Sequence, residues 1–274
     1  IFGFHPRGTS LVRWLAEAGR EVWVANLRAQ GRSRAEGRGA GSPSLRSYAE
    51  IDLTAAIDEV LASTLTRQER VDVLGCSLGG SIAFAHLALA RAPKIGALVA
   101  VGSPLRWRNV PAVLRVPFSS PRLAGMLRVS GARSFARVAL PLAMKVPSLL
   151  SMYANPANID LEAAPKMTET VEDPHPRVNK DIAKWLGQGD MVLRGVNVTE
   201  AMRARREPLL LVVANKDGIV PEATALSPTE VWGGEVTTLR VGDVEQWYAH
   251  ADLFVGHEAP QRVFEPITKW LRAR

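Results

Sequence analysis

Gly75-Cys76-Ser77-Leu78-Gly79-Gly80 lies between two contrasting neighbours. Ahead of it, Arg70-Val71-Asp72-Val73-Leu74 reads as a short strand, and behind it Ser81 to Ala90 (SIAFAHLALA) reads as a helix poor in charge. A G-x-S-x-G in that context presents its serine on the tip of a sharp turn. Gly75 and Gly79 are expected where a side chain would clash. The following helix would aim its free N–H groups and positive end at charge developing on Ser77.

Upstream, Ser10 to Ala18 reads as a helix with Leu11, Trp14, Leu15 and Ala18 on one face, stopped by Gly19. Glu21 to Asn26 (EVWVAN) reads as a strand, and Leu27 to Leu45 as a loop rich in glycine and arginine. Its G-x-G patterns lack the flanking strand and helix of a phosphate loop, which argues against nucleotide binding. Ser47-Tyr48-Ala49-Glu50 reads as a capping box ahead of a helix burying Leu53, Ile57, Val60 and Leu61. Downstream, Lys94 to Gly102 (KIGALVAVG) reads as a strand buried on both faces. Strands and helices alternate, so the fold class is α/β, a doubly wound and mostly parallel sheet with right-handed crossovers. The chain opens on Ile1-Phe2-Gly3-Phe4-His5-Pro6, which reads as the middle of a domain whose first strands precede it.

The alternation stops at Pro104. Residues 104–207 carry many prolines, short helical patterns and all six methionines. Between Leu105 and Leu150 stand seven arginines and one lysine, with no Asp or Glu. The expected organisation is a core of residues 1–103 and 208–274 with a helical cap or lid at 104–207. A Met-rich lid adapts to its ligand, and its basic face would suit an anionic lipid interface. The rhythm resumes with the strand Pro208 to Ala214, the turn Asn215-Lys216-Asp217-Gly218, the strand Glu235 to Val241, and a last helix burying Val263, Ile267, Trp270 and Leu271. Pro266 conflicts with that helix unless it starts late or kinks.

Composition narrows the rest. The 274 residues are 47% hydrophobic with net charge +7, and no run of 18 uncharged apolar residues exists. A single cysteine, Cys76, excludes an intrachain disulfide and a Cys-based metal cluster; it reads as a small buried filler. No metal, organic cofactor or nucleic-acid partner is implied, and the compartment stays open.

A serine hydroxyl needs a base within hydrogen-bond reach, and that base needs an orienting carboxylate. Doubly wound sheets gather such groups at the carboxyl ends of strands. Ser77, Asp217 and His250 lie on three such loops, in that order. Asp243 and Asp252 compete with Asp217 for the acid's place. His86 reads as a packed helix residue, His257 as a surface or capping residue, and His5 and His175 lie away from the strand ends. One oxyanion donor would be the Leu78 amide; the second stays unassigned.

These residues carry a resemblance. Ser10-Leu11, Ala18-Gly19, Val22-Trp23-Val24, Asn26, Tyr48, Asp52-Leu53 and Ala56-Ile57-Asp58 lead to the Ser77 elbow, and His250-Ala251-Asp252, Gly256, Ala259-Pro260 and Val263 follow far downstream. The pattern is similar to α/β-hydrolases of the lipase/esterase type, acid lipases above all, and more distantly to polyhydroxyalkanoate synthases and depolymerases. The synthases carry Cys where this chain has Ser77, so the resemblance implies a hydrolase. The family's oxyanion His-Gly pair is absent. The resemblance implies hydrolysis of a carboxylic ester or thioester through an acyl-enzyme, with a Ser77–His250–Asp217 triad. The alternatives are acyl transfer or polyester depolymerisation by the same triad, and a catalytically silent hydrolase fold used for binding.

Overall fold

The computed structural model describes residues 3–31, 33, 41–126, 150–163, 166 and 175–274. Much of the basic stretch Leu105 to Leu150 lies outside them, and the expected lid is described over residues 104–126, 150–163, 166 and 175–207.

Helix α1 (Leu11–Glu17) is capped by Ser10, whose Oγ accepts from the Arg13 amide at 3.3 Å. Leu11 and Leu15 turn inward. The strand expected over 21–26 does not form; that segment has no regular structure, and Trp23 and Val24 are exposed. Strand conformation is stabilised by ladder bonds to a neighbour, and among the described residues none pairs with this segment. Helix entry also comes earlier than expected. Ser44 and Ser47 form the capping box at α2 (Leu45–Ser47), followed by a π turn (Tyr48–Asp52) and α3 (Leu53–Ser63). Glu50 is therefore inside the helical run and pairs outward with Arg46 and Arg194 instead of reaching back to Ser47.

Strand β1 (Val71–Cys76) leads into α4 (Leu78–Leu89) and then β2 (Ile95–Val101). Beyond it come α5 (Ala112–Arg115), α6 (Pro121–Met126), α7 (Pro176–Gln188), a hairpin of β3 (Val192–Leu193) and β4 (Val196–Asn197), and α8 (Val198–Ala201). The chain then returns to the sheet as β5 (Leu209–Ala214), α9 (Glu222–Ala225) and β6 (Val236–Val241), and closes with α10 (Asp252–Val255) and α11 (Glu265–Arg272). Among the described residues the main sheet is four-stranded and parallel, in the order β1-β2-β5-β6. About a hundred residues separate β2 from β5, yet the two are hydrogen-bonded neighbours, Leu98 opposite Leu209 and Val101 opposite Val212.

Alternation along the strands feeds two cores. Leu98, Ala100, Leu209, Leu211 and Val213 face one layer, with Phe84 and Leu87 of α4, Tyr48 and Ile57. Val99, Val101, Leu210, Val212 and Ala214 face the other, with Leu11, Leu15, Tyr248, Phe254, Phe264 and Ile267. A sheet covered on both faces explains why β2 and β5 read as continuous apolar runs. Burying one such large side chain contributes about 2–3 kcal/mol. The α4 layer also takes Val178 and Trp185 from α7, Met191, Val198 and Met202, so these parts of 104–207 share a core with the sheet. Arg106 and Asp190, near the two ends of that segment, form a two-pronged ion pair at 2.6 and 2.9 Å. The Arg106 bonds hold the Asp190 carboxyl at about 2, with Thr199 and Asn197 also donating to it. At the C-terminus a π turn (Pro260–Phe264) runs directly into α11, and Pro266, which has no N–H to donate, stands just after that change of helix type.

Candidate active site

Ser77 joins β1 to α4 in a conformation that L-residues rarely adopt, φ 50° and ψ −119°. Such a residue costs about 1–3 kcal/mol and persists only where its surroundings hold it. Here the Ser77 amide donates to Val101 O at 2.8 Å, and its carbonyl accepts from the amides of Gly80 at 3.2 Å and Ser81 at 3.3 Å. The glycines divide the work differently from the sequence expectation. A Cβ at Gly75 would lie 2.5 Å from the Gly80 amide nitrogen, and one at Gly80 would collide with the Ser103 side chain. At Gly79 none of the described residues comes within 4 Å, so the close approach falls on Gly75 and Gly80. Leu78 opens α4, where the first N–H groups have no partner within the helix.

The register brings the carboxyl ends of the strands together. Cys76 pairs with Val101, Val101 with Val212, and Ala214 with Val241. Ser77 and Gly102 follow directly on β1 and β2, Asp217 lies in the turn after β5, and His250 lies in the loop after β6. The Asp217 carboxylate is fully engaged. Its Oδ1 accepts from the Ile219 and Val220 amides, both at 2.8 Å, and its Oδ2 meets His250 Nδ1 at 2.6 Å. Both side chains are buried, with 8% of His250 and 1% of Asp217 exposed. A carboxylate against Nδ1 assigns the proton to that nitrogen and leaves Nε2 with a free lone pair.

Gly102 makes room for the pair, and the sequence reading missed it. It has φ +55°, and a Cβ there would lie 3.1 Å from His250 Cε1, 3.2 Å from Nδ1 and 3.5 Å from Asp217 Oδ2. The pair thus rests on the end of β2, the strand beside the one that carries Ser77. A glycine closing a strand was the available signal. Tyr153 was missed as well. Its ring is 6.1 Å from the His250 ring and tilted 42° to it. Tyr153 is itself 42% exposed, so it borders the imidazole without being sealed in the core.

The competing residues are engaged elsewhere. Asp243 accepts from the Glu245 and Gln246 amides within its own exposed turn. Asp252 is fully buried and accepts from the amides of Ala249 and Asn155. Burial pushes its carboxyl up to about 7 against the pull of those hydrogen bonds. His86 is packed in the core against the carbonyls of Ala49 and Pro93. His5 bonds Gly256 O and His175 caps α7, while His257 is held by its backbone amide on Asn158 O and its Nδ1 is buried with no hydrogen-bond partner among the described residues. Cys76 packs against the second core layer, and burial holds its thiol well above the usual range.

A family profile described as the alpha/beta hydrolase fold matches residues 4–247. The chain belongs to that family. The match covers Ser77 and Asp217 and stops three residues short of His250. Solved structures agree on the fold. A meta-cleavage product hydrolase from Pseudomonas fluorescens superimposes with TM-score 0.57 at 13% identity, covering 90% of this chain and 78% of its own. An esterase from Thermogutta terrifontis gives 0.56 at 18%, covering 90% and 78%. A hydrolase from Pseudomonas aeruginosa gives 0.53 at 18%, covering 89% and 77%. No curated protein matches the chain in sequence. The protein is a hydrolase-family α/β chain with a mostly parallel sheet flanked by helices.

Proposed function

We propose that the protein is a serine hydrolase that cleaves a carboxylic ester or thioester through an acyl-enzyme. The observation that carries this reading is the buried 2.6 Å contact of His250 Nδ1 with Asp217 Oδ2, at the strand ends where Ser77 sits on its strained turn. Ser77 Oγ attacks the acyl carbonyl while His250 Nε2 takes its proton, and the Leu78 amide receives the developing oxyanion. The tetrahedral intermediate collapses, and the leaving alcohol or thiol takes that proton from His250. Water then attacks the acyl-Ser77 ester with His250 again as the base, the acyl–Oγ bond breaks, Ser77 Oγ takes the proton back from His250, and the carboxylic acid leaves. Asp217 holds the tautomer that makes Nε2 the acceptor and stabilises the imidazolium that forms. An alcohol or thiol in place of water would turn the same intermediate into acyl transfer.

The substrate side of this reading is an apolar acyl group delivered from an anionic surface. Val116 and Met126 are 77% and 74% exposed, beside Arg115 and Arg122 on the described part of the basic stretch. Arginines near such a surface contribute about 1 kcal/mol each.

The test is incubation of the protein with a fluorophosphonate probe and with p-nitrophenyl esters of short and long acyl chains. Covalent labelling at Ser77 and turnover of at least one ester are expected. A protein that takes no label and forms no acyl-enzyme by mass spectrometry, with ester or thioester, is a silent hydrolase fold.

A further inference from the structure

Asp252 is a carboxylate with no exposed surface, two residues beyond His250. Its Oδ2 accepts from the Ala249 amide at 2.7 Å. Both of its oxygens receive the Asn155 amide, at 3.1 and 3.0 Å, and the Asn158 side-chain amide approaches at 3.5 Å. One acid therefore grips the loop that carries His250 and a strip of chain from the middle of the long insertion.

That strip in turn bonds through its backbone to the residue after each member of the buried pair. Met152 O accepts from the Gly218 amide at 3.0 Å, next to Asp217, and Tyr153 O accepts from the Ala251 amide at 2.8 Å, next to His250. The Tyr153 ring lies alongside the His250 ring. Asn155 and Asn158 both reach Trp247 O through their side chains, at 2.8 and 2.9 Å, and so tie down the start of the same loop. Burying a carboxylate is expensive even when it is hydrogen-bonded, and an amide side chain of the same size would fill the space at lower cost. Such a group is a candidate for a functional role.

We infer that Asp252 is a positioning residue for His250: its carboxylate clamps the Ala249–Ala251 loop to the Met152–Asn155 strip and so holds the imidazole on Asp217. The inference deepens the serine-hydrolase reading and rests on it for its kinetic consequence alone. Asp252 touches no reacting atom; it acts through the two backbone amides that it receives.

The test uses the full chain with Asp252→Asn. The variant keeps the side chain's size, but its NH2 group must face one of the two amide donors. The expected result is a fall in kcat of about tenfold or more with KM changed less than twofold. The low-field proton signal of His250 Nδ1–H should shift or broaden, while the far-UV circular dichroism stays that of the wild type. An unchanged signal overturns the inference, whether or not kcat or thermal stability falls. Should the variant not fold, amide exchange in the wild type decides: protected Ala249 and Asn155 amides support the clamp, and amides that exchange like an exposed loop overturn it. A wild-type protein that labels at no serine and turns over no ester defeats the hydrolase reading, while the His250 proton signal still judges Asp252.

Discussion

The turn that carries Ser77 and the loop that carries His250 are built in opposite ways. Ser77 is fixed by near neighbours, with its own strand and helix, Gly75 and Gly80 around it, and Val101 on the adjoining strand. His250 is fixed mainly by distant residues, with Asp217 beside its ring, Gly102 beneath it and Tyr153 alongside, while its near neighbour Asp252 ties its loop to the remote Asn155. A local device is written in a short motif. A device assembled from three remote segments, at Gly102, Tyr153–Asn155 and Asp217, exists only once the sheet has placed their ends together.

The largest test of the comparison is at the turn. Ser77→Ala should lower ester turnover by about 10⁴-fold or more and abolish fluorophosphonate labelling, as for removal of a nucleophile that acts as a unit with its base. Label retained in Ser77→Ala would refute the assignment. At the remote end, Asp217→Asn should keep the fold and lower kcat by about 10³–10⁴-fold, because His250 would then be held in the wrong tautomer. Asp243→Asn is the control; its carboxylate serves only its own turn, and kcat should stay near that of the wild type. If the two results are reversed, the acid is Asp243.

Gly102→Ala probes the junction between the two regions. The new methyl group needs a positive φ and crowds the imidazole, so a loss of about 1 kcal/mol in stability and a roughly tenfold loss in kcat are expected. Thermal melts and steady-state kinetics on the same preparation read both. In contrast, Gly79→Ala should be tolerated and Gly75→Ala should not, since only Gly75 faces a backbone nitrogen at 2.5 Å.

Stability against pH separates two carboxylates of opposite sign. The Asp190 carboxyl is held at about 2 by Arg106, below its unfolded value near 3.8. Its stabilisation is therefore present above that value and is lost as pH falls toward 2. With solvent screening it amounts to about 1 kcal/mol, and Asp190→Asn should remove it. Asp252, raised to about 7, works the other way. Between about 4 and about 7 the unfolded chain has released this proton while the folded chain retains it, so the Asp252 contribution falls as pH rises. Denaturation midpoints of Asp252→Asn relative to wild type should therefore improve from pH 5 to pH 8. The smallest expected effect is at the surface: binding to anionic vesicles should weaken as salt rises and weaken further in Arg115→Gln/Arg122→Gln. Vesicle binding that is absent at low salt removes the interfacial part of the function reading and leaves the chemistry untouched.

The fold was legible because its signals are local. Hydrophobic runs at 95–101 and 209–214 announce doubly covered strands, and the strand–turn–helix around Ser77 sets the family. Where local signals were ambiguous, long-range pairing decided. Glu21 to Asn26 has a strand's composition yet no partner to bond with among the described residues, and it stays irregular. Ser47 and Glu50 have a capping box's spacing, but Ser44 claims Ser47 first and Glu50 turns to Arg46 and Arg194.

By itself the sequence determined the α/β class, the serine on its turn, and an order of acid and histidine along the chain. Tertiary structure decided which acid meets the histidine, because Asp217, Asp243 and Asp252 each stand beyond one of the last two strands and differ in what surrounds them. One faces His250, one closes its own exposed turn, and one is sealed beneath the loop on backbone amides. It also decided that Gly102 and Tyr153 belong beside His250. The physical reason is that a hydrogen bond of 2.6 Å depends on where strand ends lie in space, which residue spacing along a chain does not record.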